Sequence, residues 1–176
     1  MNLIKKYIGA LYLTNRFYLC MALCIVLFIV SFFVPVLFAA IKMLLVVFTL
    51  LCIFDYVFLF VAGKSPAAKR ILADRLSNGD ENTIALQVKN NMPFTVDMGI
   101  IDELPLQFQK RDWKQHVRFK ANARKQLTYK LRPVSRGEYE FGRIILYVSS
   151  LLGLLMRRHN IEAAQTVPAY PSYLQM

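Results

Sequence analysis

The sequence predicts a two-helix transmembrane hairpin followed by an all-β antiparallel sandwich, and three observations carry that expectation. The N-terminal third is almost free of charge, the rest of the chain alternates apolar and polar residues, and the whole is too apolar for a water-soluble protein. Of 176 residues, 56% are hydrophobic and only 19% charged, with a mean hydropathy of +0.39. A soluble domain carries about 45–50% apolar and about 25% charged residues. Intrinsic disorder and a collagen-like repeat are excluded on the same ground.

The hairpin follows from length. No charged residue lies between Phe17 and Ile41, and only Asp55 interrupts the run from Met43 to Ala62. A helix rises 1.5 Å per residue, so about 20 residues cross a hydrocarbon core of about 30 Å. Residues 17–62 are too many for one span and suit two helices with a turn near 35–42, between Pro35, which ends a helix by lacking an N–H, and the polar Lys42. Lys5, Lys6 and Arg16 precede the hairpin and Lys64, Lys69, Arg70 and Arg75 follow it, against Lys42 alone in the turn. The positive-inside rule then places both termini in the cytoplasm. A cleaved signal peptide is the rival reading, disfavoured because its apolar core runs to only about 7–15 residues. Residues 1–16 form a cytoplasmic segment, read either as an interfacial helix with Leu3, Tyr7 and Leu11 on one face or as a frayed tail.

Asp55 is the one ionisable residue deep in a span, and such a charge raises a functional hypothesis because burying it costs a few kcal/mol. Two readings stand. In the structural one Asp55 contacts Arg16, antiparallel on the neighbouring helix, or simply lies close to the headgroups; in the other it serves an ion or proton relay.

Residues 63–176 form the cytoplasmic β-sandwich domain. Ile84, Leu86 and Val88 alternate with polar or small residues, as do Val117 and Phe119, Leu127, Tyr129 and Leu131, and Tyr139 and Phe141. Period two marks half-buried strands, and Asn78-Gly79-Asp80, Asn90 to Pro93, Arg136-Gly137 and Leu152-Gly153 supply the turns. Ile144, Ile145 and Leu146 are apolar on both faces, as in a central strand or one docked on the helices. Asp102 and Glu103 precede Pro105 and read as loop residues, since neighbours on a strand would point apart.

The net charge is +11. Lys110, Arg111, Lys114, Arg118, Lys120, Arg124 and Lys125 surround Trp113, His116 and Phe119 with one acid, Asp112. Cations among aromatics suit single-stranded nucleic acid, but no nucleic-acid module accompanies them. A basic surface facing anionic lipid or a partner is the preferred reading. Cys20, Cys24 and Cys52 all fall in the apolar third, which excludes a disulfide framework for the sandwich. His116 and His159 have no metal-site spacing, so no metal or cofactor is expected. Gly63-Lys64-Ser65 lacks the earlier glycine of a phosphate loop, and no nucleophile elbow or HExxH stretch occurs.

At Arg136-Gly137-Glu138-Tyr139-Glu140-Phe141-Gly142, followed by Leu152-Gly153-Leu154 and Tyr170-Pro171, the chain resembles a prokaryotic membrane-protein family known as domain of unknown function 58. The resemblance covers nearly the whole chain. It implies an immunoglobulin-like sandwich after the hairpin, with Arg136, Gly137, Tyr139, Phe141, Gly142 and Gly153 as structural motif residues. Gly137 and Gly142 would bracket a short strand, Tyr139 and Phe141 would point into the core, and Arg136 would satisfy a carboxylate or carbonyl. Ser149 to Leu152 depart from the family's usual Asp-Pro before the glycine turn. Family members usually continue into a domain similar to von Willebrand factor A, so the resemblance implies an N-terminal piece of a longer protein or, as the less favoured reading, a naturally short member. It also implies a non-enzymatic scaffold working with MoxR-type AAA+ ATPases and von Willebrand A-type proteins in assembly or stress protection of envelope complexes. The alternative is an accessory subunit of a membrane enzyme or transporter that uses Asp55; an oligomer built by hairpin packing is compatible with the scaffold.

Overall fold

The computed structural model describes residues 9–62, 64–109, 112–150 and 152–171. The chain forms two units, Met1–Gly63 with Val148–Arg158, and Lys64–Tyr147 with His159–Met176.

The first unit begins with β1 (Leu11–Leu13), followed by α1 (Asn15–Phe33), α2 (Leu37–Val57) and a π-helical turn at Phe58–Ala62. Thr14 caps α1: its Oγ1 accepts from the Phe17 N–H at 3.3 Å, satisfying one of the free donors of the first turn. Both helices are long and apolar enough to cross a membrane, with mean hydropathies of 2.3 over Asn15–Phe33 and 2.7 over Leu37–Val61. Protein covers little of them. The buried residues are Cys24 and Ser31 on α1 and Ile41 and Asp55 on α2, while Phe32, Phe33, Met43 and Val61 are among the most exposed. The three cysteines sit on these helices as free thiols.

Two expectations change here. The turn is Val34–Val36 rather than 35–42: Leu37 and Phe38 already donate to the carbonyls of Val34 and Pro35, and Lys42 continues the helix with its ammonium 4.9 Å from the centre of the Phe38 ring one turn back. The described part of the N-terminal segment is a strand instead of an interfacial helix. β1 pairs antiparallel with Leu155–Arg157, which satisfies its backbone as a helix would have done; Leu3 and Tyr7 lie outside the described residues.

The second unit is an all-β, sandwich-like domain. Its strands are β2 (Ala67–Ile71), β3 (Leu76–Asn78), β4 (Asn82–Lys89), β5 (Val96–Glu103), β6 (Asp112–Phe119), β7 (Arg124–Leu131), β8 (Gly137–Phe141), β9 (Ile144–Ser149), β10 (Leu155–Ile161) and β11 (Gln165–Pro171). Strands β9 and β10 run on into the first unit, to which the connection between them belongs. One sheet has the order β2-β4-β7 and another β3-β11-β8, while β9 lies between β10 and β5, with β6 beyond β5. Pairing is antiparallel except for β3 with β11. Ile84, Leu86 and Val88 of β4 meet Val96, Met98 and Ile100 of β5, Phe119 of β6 and Leu146 of β9 in the core, all essentially inaccessible. The central-strand reading of Ile144 to Leu146 holds because β9 has a neighbour on each side.

Candidate functional site

Among the described residues each unit buries one acid, and these two are where the chemistry concentrates. In the first unit Asp55 is 1% exposed. Its Oδ1 accepts from the Ser150 hydroxyl, and its Oδ2 accepts from the N–H groups of Leu154 and Leu155 at 3.1 and 2.9 Å. The segment that supplies these donors is the turn between β9 and β10, and the helix ends hold it at further points. Thr14 Oγ1 lies 2.7 and 2.9 Å from the carbonyl oxygens of Gly153 and Leu154. Arg16 donates to the Leu152 carbonyl at 3.3 Å, and Arg157 donates to the Leu59 carbonyl at 3.0 Å with its guanidinium over the Phe60 ring. Gly153 has φ +63°, and a Cβ there would stand 3.0 Å from Arg16 Nη1. Glycine fits both demands.

The expected contact of Asp55 with Arg16 is therefore replaced. Both residues bind the same turn, Asp55 through hydroxyl and amide protons and Arg16 through a carbonyl. A flexible guanidinium is unnecessary where three donors already converge, and hydrogen bonds to a charged acceptor contribute about 1.5–3 kcal/mol each.

In the second unit Asp102 is fully buried beside Arg70, itself 5% exposed. Arg70 Nε donates to Asp102 Oδ2 at 3.1 Å, Nη2 completes a bidentate pair with Oδ1, and the Tyr129 hydroxyl donates to Oδ2. The guanidinium also donates to the carbonyls of Ala163 and Gly142 at 2.6 and 3.0 Å and lies 4.9 Å from the centre of the Phe141 ring. Desolvation, and after it the Asp102 charge, holds the Tyr129 phenol well above its ordinary value, so it stays a proton donor. Arg70 is thus a core residue and leaves the set of cationic flanks. Asp102 and Glu103 end β5 rather than lying in a loop: Val96, Met98, Ile100 and Asp102 fall on one face at period two, and that alternation was the signal that pointed inward.

The motif residues divide. Tyr139 and Phe141 are buried, and the Tyr139 hydroxyl donates to the Ser135 carbonyl at 2.9 Å, the arrangement of a tyrosine corner. Gly137 has φ +134°. At Gly142 an added Cβ would stand 2.8 Å from Glu103 Cβ, a close approach fixed by the Gly142 N–H donating to the Glu103 carbonyl. Arg136 is exposed, and the expected carboxylate or carbonyl partner is not found among the described residues.

Of the basic residues, Lys110 and Arg111 lie outside the described residues. Lys114 pairs with Asp112 at 3.3 Å and Arg118 with Asp97, which raises the Arg118 pKa. Lys125 donates to the Arg118 carbonyl at 2.8 Å and lies over the Phe119 ring. Lys120 and Arg124 are exposed. Phe119 is buried, and the half-buried Trp113 stacks on Tyr129 with ring centres 4.7 Å apart. Among the described residues no group of His, Cys, Asp and Glu has the arrangement of a metal site.

Fold and site together define a class: two long apolar helices joined to an all-β, sandwich-like domain, with its buried acids satisfied by structural partners. No protein-family model matches the chain, and no curated relative matches it. Among solved structures it is similar to the CARDB domain of the PF1109 protein from Pyrococcus furiosus, with 15% identity over 63% of this chain and 97% of that one, at a TM-score of 0.45. PapD-like domain 7 of human CEP192 is similar with 9% identity, over 63% of this chain and 89% of that one, at 0.46. A β-glucosidase from Listeria innocua is similar with 13% identity, over 60% of this chain but only 16% of its own, at 0.36. No residue role passes from these proteins to this chain.

Proposed function

We propose that the chain is a membrane-anchored, non-enzymatic scaffold: α1 and α2 form a transmembrane hairpin, both termini are cytoplasmic, and an immunoglobulin-like sandwich presents its surface to partners. The observation that carries the reading is the binding of Asp55. All three of its hydrogen bonds come from the β9–β10 turn, so the one acid in the spans is occupied as a structural acceptor, which disfavours the accessory-subunit reading that needs it to carry an ion or proton. Apolar side chains such as Leu19, Phe32, Met43 and Leu50, exposed outside the one covered stripe of each helix, are what a lipid solvent requires. The resemblance to domain of unknown function 58 supplies the partner class, a MoxR-type AAA+ ATPase together with von Willebrand A-type proteins, in assembly or stress protection of envelope complexes.

Reporter fusions at the C-terminus of the full chain test the topology, with a cytoplasmic signal expected and an external one contradicting it. Affinity purification in detergent tests the partner: an AAA+ ATPase should copurify, and Asp55→Asn should leave that association intact. Turnover of a lipid by the purified chain alone would replace the scaffold with an enzyme.

A further inference from the structure

The outward face of the β2-β4-β7 sheet carries cations that nothing in the fold uses. Strand register places residues in rows across it: Ala67 beside Lys89 beside Arg124, then Lys69 beside Gln87 beside Gln126, then Ile71 beside Ala85 beside Thr128. Lys89 and Arg124 are direct cross-strand neighbours, and like charges in that position repel. Lys69 sits one row on, diagonal to Lys89, within reach of a long side chain. Lys69, Lys89 and Arg124 have no ion-pair or hydrogen-bond partner among the described residues, and no acid occupies these three rows. Other exposed cations of the domain do find acids, as Lys130 finds Glu81 and Arg118 finds Asp97, each at 2.7 Å. The small side chain of Ala67 leaves a depression of about 200 Å³, rimmed by Lys69, Gln87, Lys89 and Arg124.

We propose that this depression is a binding site for a phosphate-type oxyanion. Three converging cations exceed what one carboxylate neutralises and suit a phosphate monoester, which carries about −1.5 to −2 at neutral pH. Arg124 offers a planar fork for two phosphate oxygens, and the two lysines add mobile ammonium donors. Gln87 supplies a neutral amide donor on the same rim. The anion relieves the Lys89–Arg124 repulsion, so binding and local stability rise together.

The test titrates inorganic phosphate into the full chain in detergent micelles at constant ionic strength, following the Lys69, Lys89 and Arg124 side chains by NMR. Saturable binding is expected, weakened about tenfold or more in Lys89→Gln/Arg124→Gln because two charge-assisted donors are lost. Lys130→Gln/Arg143→Gln removes the same net charge at two residues that pair with acids outside the depression and should leave binding unchanged. A parallel titration with short-chain phosphatidic acid separates the sources: tighter binding than inorganic phosphate, through the same residues, assigns the site to a lipid headgroup, and binding no tighter assigns it to a soluble phosphoryl ligand. Three results would each overturn the proposal: no saturation in the parent chain, equal weakening in both double variants, or a Glu-rich peptide binding more tightly than phosphate at these residues.

Discussion

Asp55 and Asp102 are the same side chain, buried to the same degree, and satisfied by opposite means. Asp102 has a cation: Arg70 grips it with two nitrogens while Tyr129 donates a third hydrogen bond. Asp55 has none among the described residues; a hydroxyl and two backbone N–H groups satisfy it. A buried acid therefore does not by its presence report a functional charge, since backbone donors suffice once a chain turn is folded around it. The two solutions fail differently. A partner removed from an ion pair strands a full charge in the core, whereas an acid removed from a turn strands polar groups that water or small rearrangements can reach.

The largest effect is thus expected at the ion pair. Arg70→Ala should destabilise the sandwich by about 3–5 kcal/mol, because it leaves Asp102 uncompensated. Arg70→Met with Asp102→Leu should recover much of that loss. Denaturant unfolding followed by the fluorescence of Trp113, the sole tryptophan, reads both; a single variant no worse than the double would break the comparison.

Asp55→Ala should cost about 1–3 kcal/mol, the penalty for orphaned donors, and Asp55→Asn less, since an amide oxygen still accepts. Thermal unfolding in detergent reads the order, and an Asp55→Asn variant more damaging than Asp55→Ala would contradict it. Gly153→Ala, at a left-handed φ beside Arg16, should cost about 1–2 kcal/mol.

Tyr129 sharpens the contrast through pH. Its pKa is raised in the fold, first by burial and then by Asp102, so the proton binds more tightly folded than unfolded. The stabilisation is complete below the unfolded phenol value of about 10 and is lost as pH climbs beyond it. Tyr129→Phe should flatten this alkaline loss and slightly lower stability at neutral pH. An unchanged alkaline limb would show that another group governs it.

These residues also show what the sequence made legible. The helices announced themselves because lipid-compatible runs of this length have few other uses, and β4, β7 and β8 because period two is hard to produce otherwise. The buried ion pair was legible in half: Asp102 continues the apolar alternation from Val96, but Arg70 stands in a row of cations after the hairpin and looks like its neighbours Lys64 and Lys69. Only the register of β2 against β4, a long-range fact, turns Arg70 inward and Lys69 outward. The partners of Asp55 were illegible for the same reason, since Ser150 and Leu154 lie about a hundred residues away in sequence. The turn at Val34–Val36 was misplaced because Lys42 reads as a polar boundary although a lysine stem packs readily along a helix.

Asp55 is a structural acceptor for the β9–β10 turn. Amide hydrogen exchange at Leu154 and Leu155, compared between the parent chain and Asp55→Ala in the same detergent, tests it directly. Protection at these two amides should fall by about tenfold or more, as for a lost charge-assisted hydrogen bond, while the amides of β4 and β7 keep theirs. Unchanged protection at Leu154 and Leu155 would contradict it and return Asp55 to the role of a free intramembrane charge.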